Sequence, residues 1–216
     1  MPAVSSKTEP RWERRKDARP AELTAAALEF FVERGYAATR LEDVAAHAGV
    51  SKGTLYLYFE SKEEMLKAVV REGLLPVIAQ GEEIFQSDKG PVIEQLRVVI
   101  DRWWVLAGST RLGGLSKLMM AEARNFPEIA KFYHDEVISR SRALYIGLLQ
   151  RGIDRGELRP MNVPAVVQAI HGAMLMRSCW AHSFCALDDH PVSNEVYFQE
   201  LLLMIGQGLE KRKTRG

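Results

Sequence analysis

Between Gly49 and Phe59 the chain reads GVSKGTLYLYF. Ser51, Lys52 and Thr54 place three polar donors within four residues, and Tyr56 and Tyr58 add two phenols. Donors at the start of a helix reach phosphate oxygens and base edges, and aromatic edges touch thymine methyls. The glycines suit the same chemistry. Gly49 would end one helix, and Gly53 would keep the start of the next narrow enough to approach a phosphate backbone. A purely structural hairpin has no use for exposed Tyr, Thr and Lys at these spacings, so the stretch reads as a nucleic-acid contact.

Such side chains need helices to hold them. Leu23, Ala26, Ala27, Phe30 and Phe31 recur at helical spacing, which predicts a first helix over Pro20–Arg34, or one beginning earlier, that ends at Gly35. Thr39, with Glu42 three residues on, predicts a capped second helix whose inner face is Leu41, Val44, Ala45 and Ala48. Gly49 ends it, Val50 plugs the turn and Ser51 caps a short third helix running to Phe59, with Leu55 and Phe59 inward. Two helices joined by this turn make a helix-turn-helix whose outer face fits a major groove about 12 Å wide. Ser61 with Glu64 starts a fourth helix, which Pro76 must kink or end.

The segment from Arg34 to Leu66, RGYAATRLEDVAAHAGVSKGTLYLYFESKEEML, closely resembles the DNA-binding domain of TetR-family transcriptional regulators. The shared positions are Gly35, Tyr36, Thr39, Val44, Ala45, Ala48 to Ser51, Gly53 to Tyr56, Tyr58, Phe59, Lys62 and an acidic residue after it. The resemblance implies a three-helix DNA reader, a long linking helix, and a C-terminal domain that dimerises and binds a small effector. Carried over by position, it implies DNA contacts at Thr39, Arg40, Lys52, Gly53, Thr54, Tyr56, Tyr58 and Lys62, the last on phosphate; Ser51 joins them on its chemistry. MMAEARNFPEIAKFYHDEV (119–137) and GELRP (156–160) are similar to one branch of the family whose members act as repressors.

Composition bounds the rest. The 216 residues are 47% hydrophobic and 26% charged, with a formal net charge of +1. No stretch alternates with period two, so the expected fold is all-α. No apolar run reaches the ~20 residues of a membrane span, and the N-terminus lacks the apolar core of a secretory signal, which leaves the cytoplasm as the expected location. Residues 1–19 carry six basic and three acidic side chains, and the tail from Glu210 carries four against one. Charged ends of this kind are either simply solvated or touch DNA phosphate. The expected organisation is a flexible basic arm over 1–18, a DNA-binding domain over 19–64, and an effector-binding and dimerisation domain over 65–213.

In that larger domain, Trp103, Trp104, Met119, Met120, Phe132, Tyr133, Met174 and Trp180 read either as core or as the walls of an effector cavity, with Met176 beside them. Arg124 and Arg177 would orient an anionic group or pair with a carboxylate. Val166, Val167, Ile170, Val196, Leu201, Leu202 and Ile205 lie on the last two helices, whose apolar residues occupy more than one face, so they are the expected homodimer interface. Cys179, His182, Cys185 and His190 match no standard zinc spacing and read more simply as a buried thiol and helix-end imidazoles. No phosphate loop, zinc-protease helix or nucleophile elbow occurs, and no cofactor is expected. The reading is therefore a homodimeric, ligand-responsive repressor of double-stranded operator DNA. A DNA-binding protein without an effector and a helical enzyme remain as rivals.

Overall fold

The computed structural model describes residues 11–209, with side chains from residue 20 onward. Among the described residues every regular element is helical. The chain divides into two compact units, Met1–Val69 and Val70–Gly216.

In the first unit, α1 spans Arg11–Arg34 and carries Pro20 inside it. Residues 11–18, expected as part of an arm, are helical in backbone; residues 1–10 lie outside the described residues. The five apolar residues expected on its inner face are all buried. Gly35 ends the helix at φ +85°. The second helix, α2 (Leu41–His47), starts differently from the expected capping box. Arg40 holds the N-cap position and no side chain caps it. Thr39 turns inward instead, and its hydroxyl lies within reach of two carbonyls, Gly35 at 2.7 Å and Phe30 at 3.1 Å. A hydroxyl buried to 1% exposure is bound to take such partners.

Gly49 then takes φ +69°, and Val50 closes the turn by donating to the Ala45 carbonyl at 2.9 Å. Ser51 caps α3 (Lys52–Tyr56) by accepting from the Thr54 amide at 3.1 Å. This helix stops three residues short of the expected Phe59, although Tyr58 and Phe59 both still donate to the Leu55 carbonyl. Ser61 accepts from the Glu64 amide at the start of α4 (Lys62–Gly73).

In the second unit, Pro76 lies in the first turn of α5 (Leu75–Ser87), where its missing N–H costs no helical bond. Next come α6 (Val92–Trp103), α7 (Arg111–Glu122), α8 (Pro127–Tyr133), α9 (Ser139–Asp154), α10 (Val163–Ala181) and α11 (Asn194–Leu209). A π-helical turn, Trp104–Gly108, ends α6 where a break was expected. Gly108 is required there, because a Cβ would lie 2.6 Å from the Trp104 ring and 2.7 Å from that of Trp103. A second π-turn, His134–Ile138, interrupts what periodicity read as one helix through Leu149. In the GELRP turn, Glu157 accepts the Val92 amide at 2.7 Å and so caps α6 from 65 residues away.

The core of this unit joins Leu96, Val99 and Ile100 of α6, Leu148 and Leu149 of α9, Val167 and Ile170 of α10, and Phe198, Leu201 and Leu202 of α11. This corrects the expected dimer interface. Val167, Ile170, Leu201 and Leu202 are buried within a single chain, and Val166 and Ile205 pack against the same core. Their burial needs no partner. Of the seven, Val196 alone is exposed, at 50%. On α10 and α11 the large apolar side chains left outside are Met176, Trp180, Val196, Leu203 and Met204.

Candidate nucleic-acid interface and cavity

The turn at Gly49 to Ser51 presents α3 with its polar face outward. Leu55 is buried beneath it, while Ser51, Lys52, Gly53 and Tyr56 are exposed and Thr54 and Tyr58 half-buried. The Thr54 and Ser51 hydroxyls pair at 2.9 Å. The Lys52 ammonium lies 2.5 Å from a Glu42 carboxylate oxygen and 5.8 Å from the centre of the Tyr56 ring. The bond to Glu42 raises the Lys52 pKa and lowers that of Glu42. Both side chains are more than half exposed or nearly so, so a phosphate can replace the carboxylate at small cost. Arg40 is exposed at the start of α2, on the same unit.

Two residues expected at DNA are used within the unit. Thr39 is one. Lys62 is the other: its ammonium donates to the carbonyls of Tyr36 at 2.7 Å, Thr39 at 3.0 Å and Ala37 at 3.1 Å, and lies 4.6 Å from the centre of the Tyr36 ring. An ammonium has three donors, and three carbonyls occupy them. Leu57, by contrast, went unnoticed in the sequence because nothing polar marks it, yet it is 83% exposed just past α3.

In the second unit a cavity of about 330 Å³ opens between α6, α7, α8, α9 and α10. Trp103, Met119, Met120, Tyr133 and Met174, all expected as cavity walls, line it. The others, Met176 among them, do not. Trp104 packs against Phe198 in the core, with the tilted rings' centres 4.9 Å apart. Phe132 lies under the Arg71 guanidinium at 4.9 Å. Trp180 packs on Phe184 at 5.3 Å. Arg124 is exposed beyond α7. Arg177 is buried, donating 2.7 Å bonds to Asn194 Oδ1 and to the Val192 carbonyl, so its charge ties α10 to the start of α11.

Three polar side chains missed in the sequence complete the wall and, together with Tyr133, form two pairs. The Ser116 and Tyr133 hydroxyls pair at 3.0 Å between α7 and α8. Ser141 Oγ and His171 Nε2 pair at 3.3 Å between α9 and α10. Burial, and secondarily the charge of Arg142, lowers the His171 pKa to about 4, so the imidazole is neutral at pH 7. The available signal was His171 three residues before Met174, on one helical face.

Among the described residues no three His, Cys, Asp or Glu side chains gather as a metal-binding set. Cys179 and Cys185 are half-buried free thiols, and a Cβ at Gly113 would sit 2.8 Å from His182 Nε2, where α7 and α10 touch. Among the described residues no helix is long and apolar enough to cross a membrane.

Comparison with known proteins follows both units. Residues 23–69 match the family described as bacterial regulatory proteins, tetR family, and residues 86–193 match the tetracyclin repressor-like C-terminal domain. The HTH-type transcriptional regulator RutR of Escherichia coli is 37% identical over 208 residues, covering 90% of each chain. The uncharacterized HTH-type transcriptional regulator YfiR of Bacillus subtilis is 30% identical over 194 residues, covering 86% of this chain and 83% of its own. The crystal structure of the transcriptional regulator FadR from Bacillus subtilis in complex with stearoyl-CoA superposes with a TM-score of 0.67 at 26% identity, covering 87% of this chain and 98% of the other. These relatives are regulators of transcription rather than enzymes, and their similarity runs through the reader helices and the cavity-bearing bundle alike. This chain belongs to the TetR family of DNA-binding transcriptional regulators.

Proposed function

We propose that the protein is a homodimeric cytoplasmic repressor, released from its operator by a small molecule that enters the cavity of the second unit. The observation that carries this reading is the cavity itself, a space of about 330 Å³ with mostly apolar walls inside a helical bundle. Pockets of this size and lining are where helical bundles take small ligands. A constitutive binder without an effector would need no such space. One relative, FadR of Bacillus subtilis, carries stearoyl-CoA in its crystal structure, which supports a ligand-responsive reading here.

The dimer rests on the outer faces of α10 and α11. Ala165, Ala169, Gly172 and Met176 recur on one exposed face of α10, and Val196, Leu203 and Met204 are exposed on α11. Pairing two copies would bury these faces in a four-helix bundle. A dimer can set two α3 helices about 34 Å apart, one turn of DNA, in successive major grooves. An effector then shifts occupancy only by binding one spacing better than the other.

The test begins with selection of bound sequences from random duplex DNA. The expected result is a two-fold symmetric site bound by a dimer, with binding relieved by compounds that raise the melting temperature of the protein. Release by no such compound would leave constitutive repression as the better reading.

A further inference from the structure

The chemistry of the cavity wall narrows what the cavity can hold. Trp103, Met119, Met120, Val137, Ile138 and Met174 give it an apolar body. Among the described residues no Asp, Glu, Lys or Arg lines it. Several charges of the surrounding helices are engaged elsewhere: Arg140 with Glu82 at 2.7 Å, Glu136 with Arg71 at 2.8 Å, and Asp135 with Lys131 at 2.5 Å. Arg142 acts on His171 from outside the wall.

The polar groups that do reach the cavity form the Ser116–Tyr133 and Ser141–His171 pairs. Each pair satisfies itself only in part. Of two hydroxyls bonded to each other, one donates and the other keeps its own O–H free for a further acceptor. In the second pair the serine oxygen keeps an unused lone pair in either imidazole tautomer. Both pairs are neutral, and they present hydrogen-bond donors and acceptors without a counter-charge. An ionised group brought into such a wall would lose its water and find no counter-charge to replace it.

We infer that the cavity takes an uncharged, largely apolar ligand, or ligand segment, bearing one or two hydroxyl or carbonyl oxygens that bond to Ser116–Tyr133 and Ser141–His171. This deepens the effector reading and rests on it. It also replaces the expectation of an anion held by Arg124 or Arg177, neither of which lines the cavity.

The test uses the full chain and two sets of matched probes. One set is 1-octanol, octanoate and octylammonium; the other is 2-naphthylmethanol, 2-naphthoate and 2-naphthylmethylammonium. Affinities are read by calorimetric titration at pH 7 and folding by thermal melting. In at least one set the alcohol should bind, and the two charged members should bind about tenfold or more weakly. Ala130→Leu, which adds bulk to the wall, should weaken the alcohol by about tenfold or more, and Ser116→Ala with Ser141→Ala by about threefold or more. A carboxylate or ammonium that binds as well as its alcohol, and is still blocked by Ala130→Leu, would overturn the inference while the cavity stands as the effector site. An alcohol indifferent to Ala130→Leu in a folded protein, or no binding by any of the six, would overturn the effector reading of the cavity and this inference with it. An unchanged affinity in the double serine variant would remove the polar pairs from the site and overturn the inference.

Discussion

The ammonium of Lys62 donates a 2.7 Å hydrogen bond to the carbonyl of Tyr36, 26 residues upstream. With the carbonyls of Ala37 and Thr39 it ties the loop between α1 and α2 to the start of α4. A lysine committed in this way shapes the reader domain from within. Lys62→Ala should lower the stability of the protein by about 1.5–3 kcal/mol, the range for hydrogen bonds to a charged group. It should weaken operator binding while leaving the slope of log affinity against log salt unchanged. Anisotropy titrations across a salt series, beside thermal melts, decide it. A slope reduced by about one unit at unchanged melting temperature would restore Lys62 as a phosphate contact.

Lys52 and Glu42 make the opposite case, since their pair faces solvent. Lys52→Ala should reduce the salt slope by about one unit. Glu42→Gln should strengthen binding to DNA of any sequence, most visibly at low salt, by removing the carboxylate that competes with phosphate. Thr54→Ala and Tyr56→Ala should alter sequence preference, read by repeating the selection with each variant. Unchanged preference in both would mean that α3 does not read bases.

Neighbouring residues of α11 should behave oppositely. Leu203 and Met204 are exposed in the single chain, whereas Leu202 is buried among Phe198 and Leu201. Leu203→Glu with Met204→Glu should give a folded monomer in sedimentation and a helical circular-dichroism spectrum like the parent's. Leu202→Ala should cost about 2–5 kcal/mol in any oligomeric state. A parent protein that sediments as a monomer at micromolar concentration would remove the proposed dimer.

His171 links stability to pH. Burial lowers its folded pKa to about 4 from the ordinary 6.5, with Ser141 Oγ at 3.3 Å and the Tyr145 ring edge-on at 4.6 Å as its neighbours. As pH falls the unfolded chain takes up this proton first. The contribution of the neutral imidazole is therefore complete above about pH 6.5 and is lost progressively down to about pH 4, in total on the order of 3 kcal/mol. His171→Gln should flatten that part of the profile relative to the parent in urea unfolding between pH 4 and 7. Equal slopes in the two proteins would mean that the imidazole is not desolvated as placed.

The reader domain was legible in the sequence because its determinants are local. Gly35 and Gly49 at positive φ, Ser51 and Ser61 as caps, and the spacing of Leu23 to Phe31 each act within a few residues of chain. Tertiary structure alone decided what distant groups do to one another. Thr39 and Arg40 both stood next to a helix start, and packing against the end of α1 drew the hydroxyl inward and left Arg40 at the N-cap. Lys62 carried a charge that could equally meet phosphate or carbonyls, and the fold of a loop 23 to 26 residues away made the choice. On α11 the run Leu201–Ile205 is apolar at every position, so periodicity has no phase from which to tell the core side from the outside. The cavity depended on the same kind of fact: Ser116, Ser141 and His171 are unremarkable singly, and they become a polar wall only where four helices bring them within hydrogen-bonding distance of their partners.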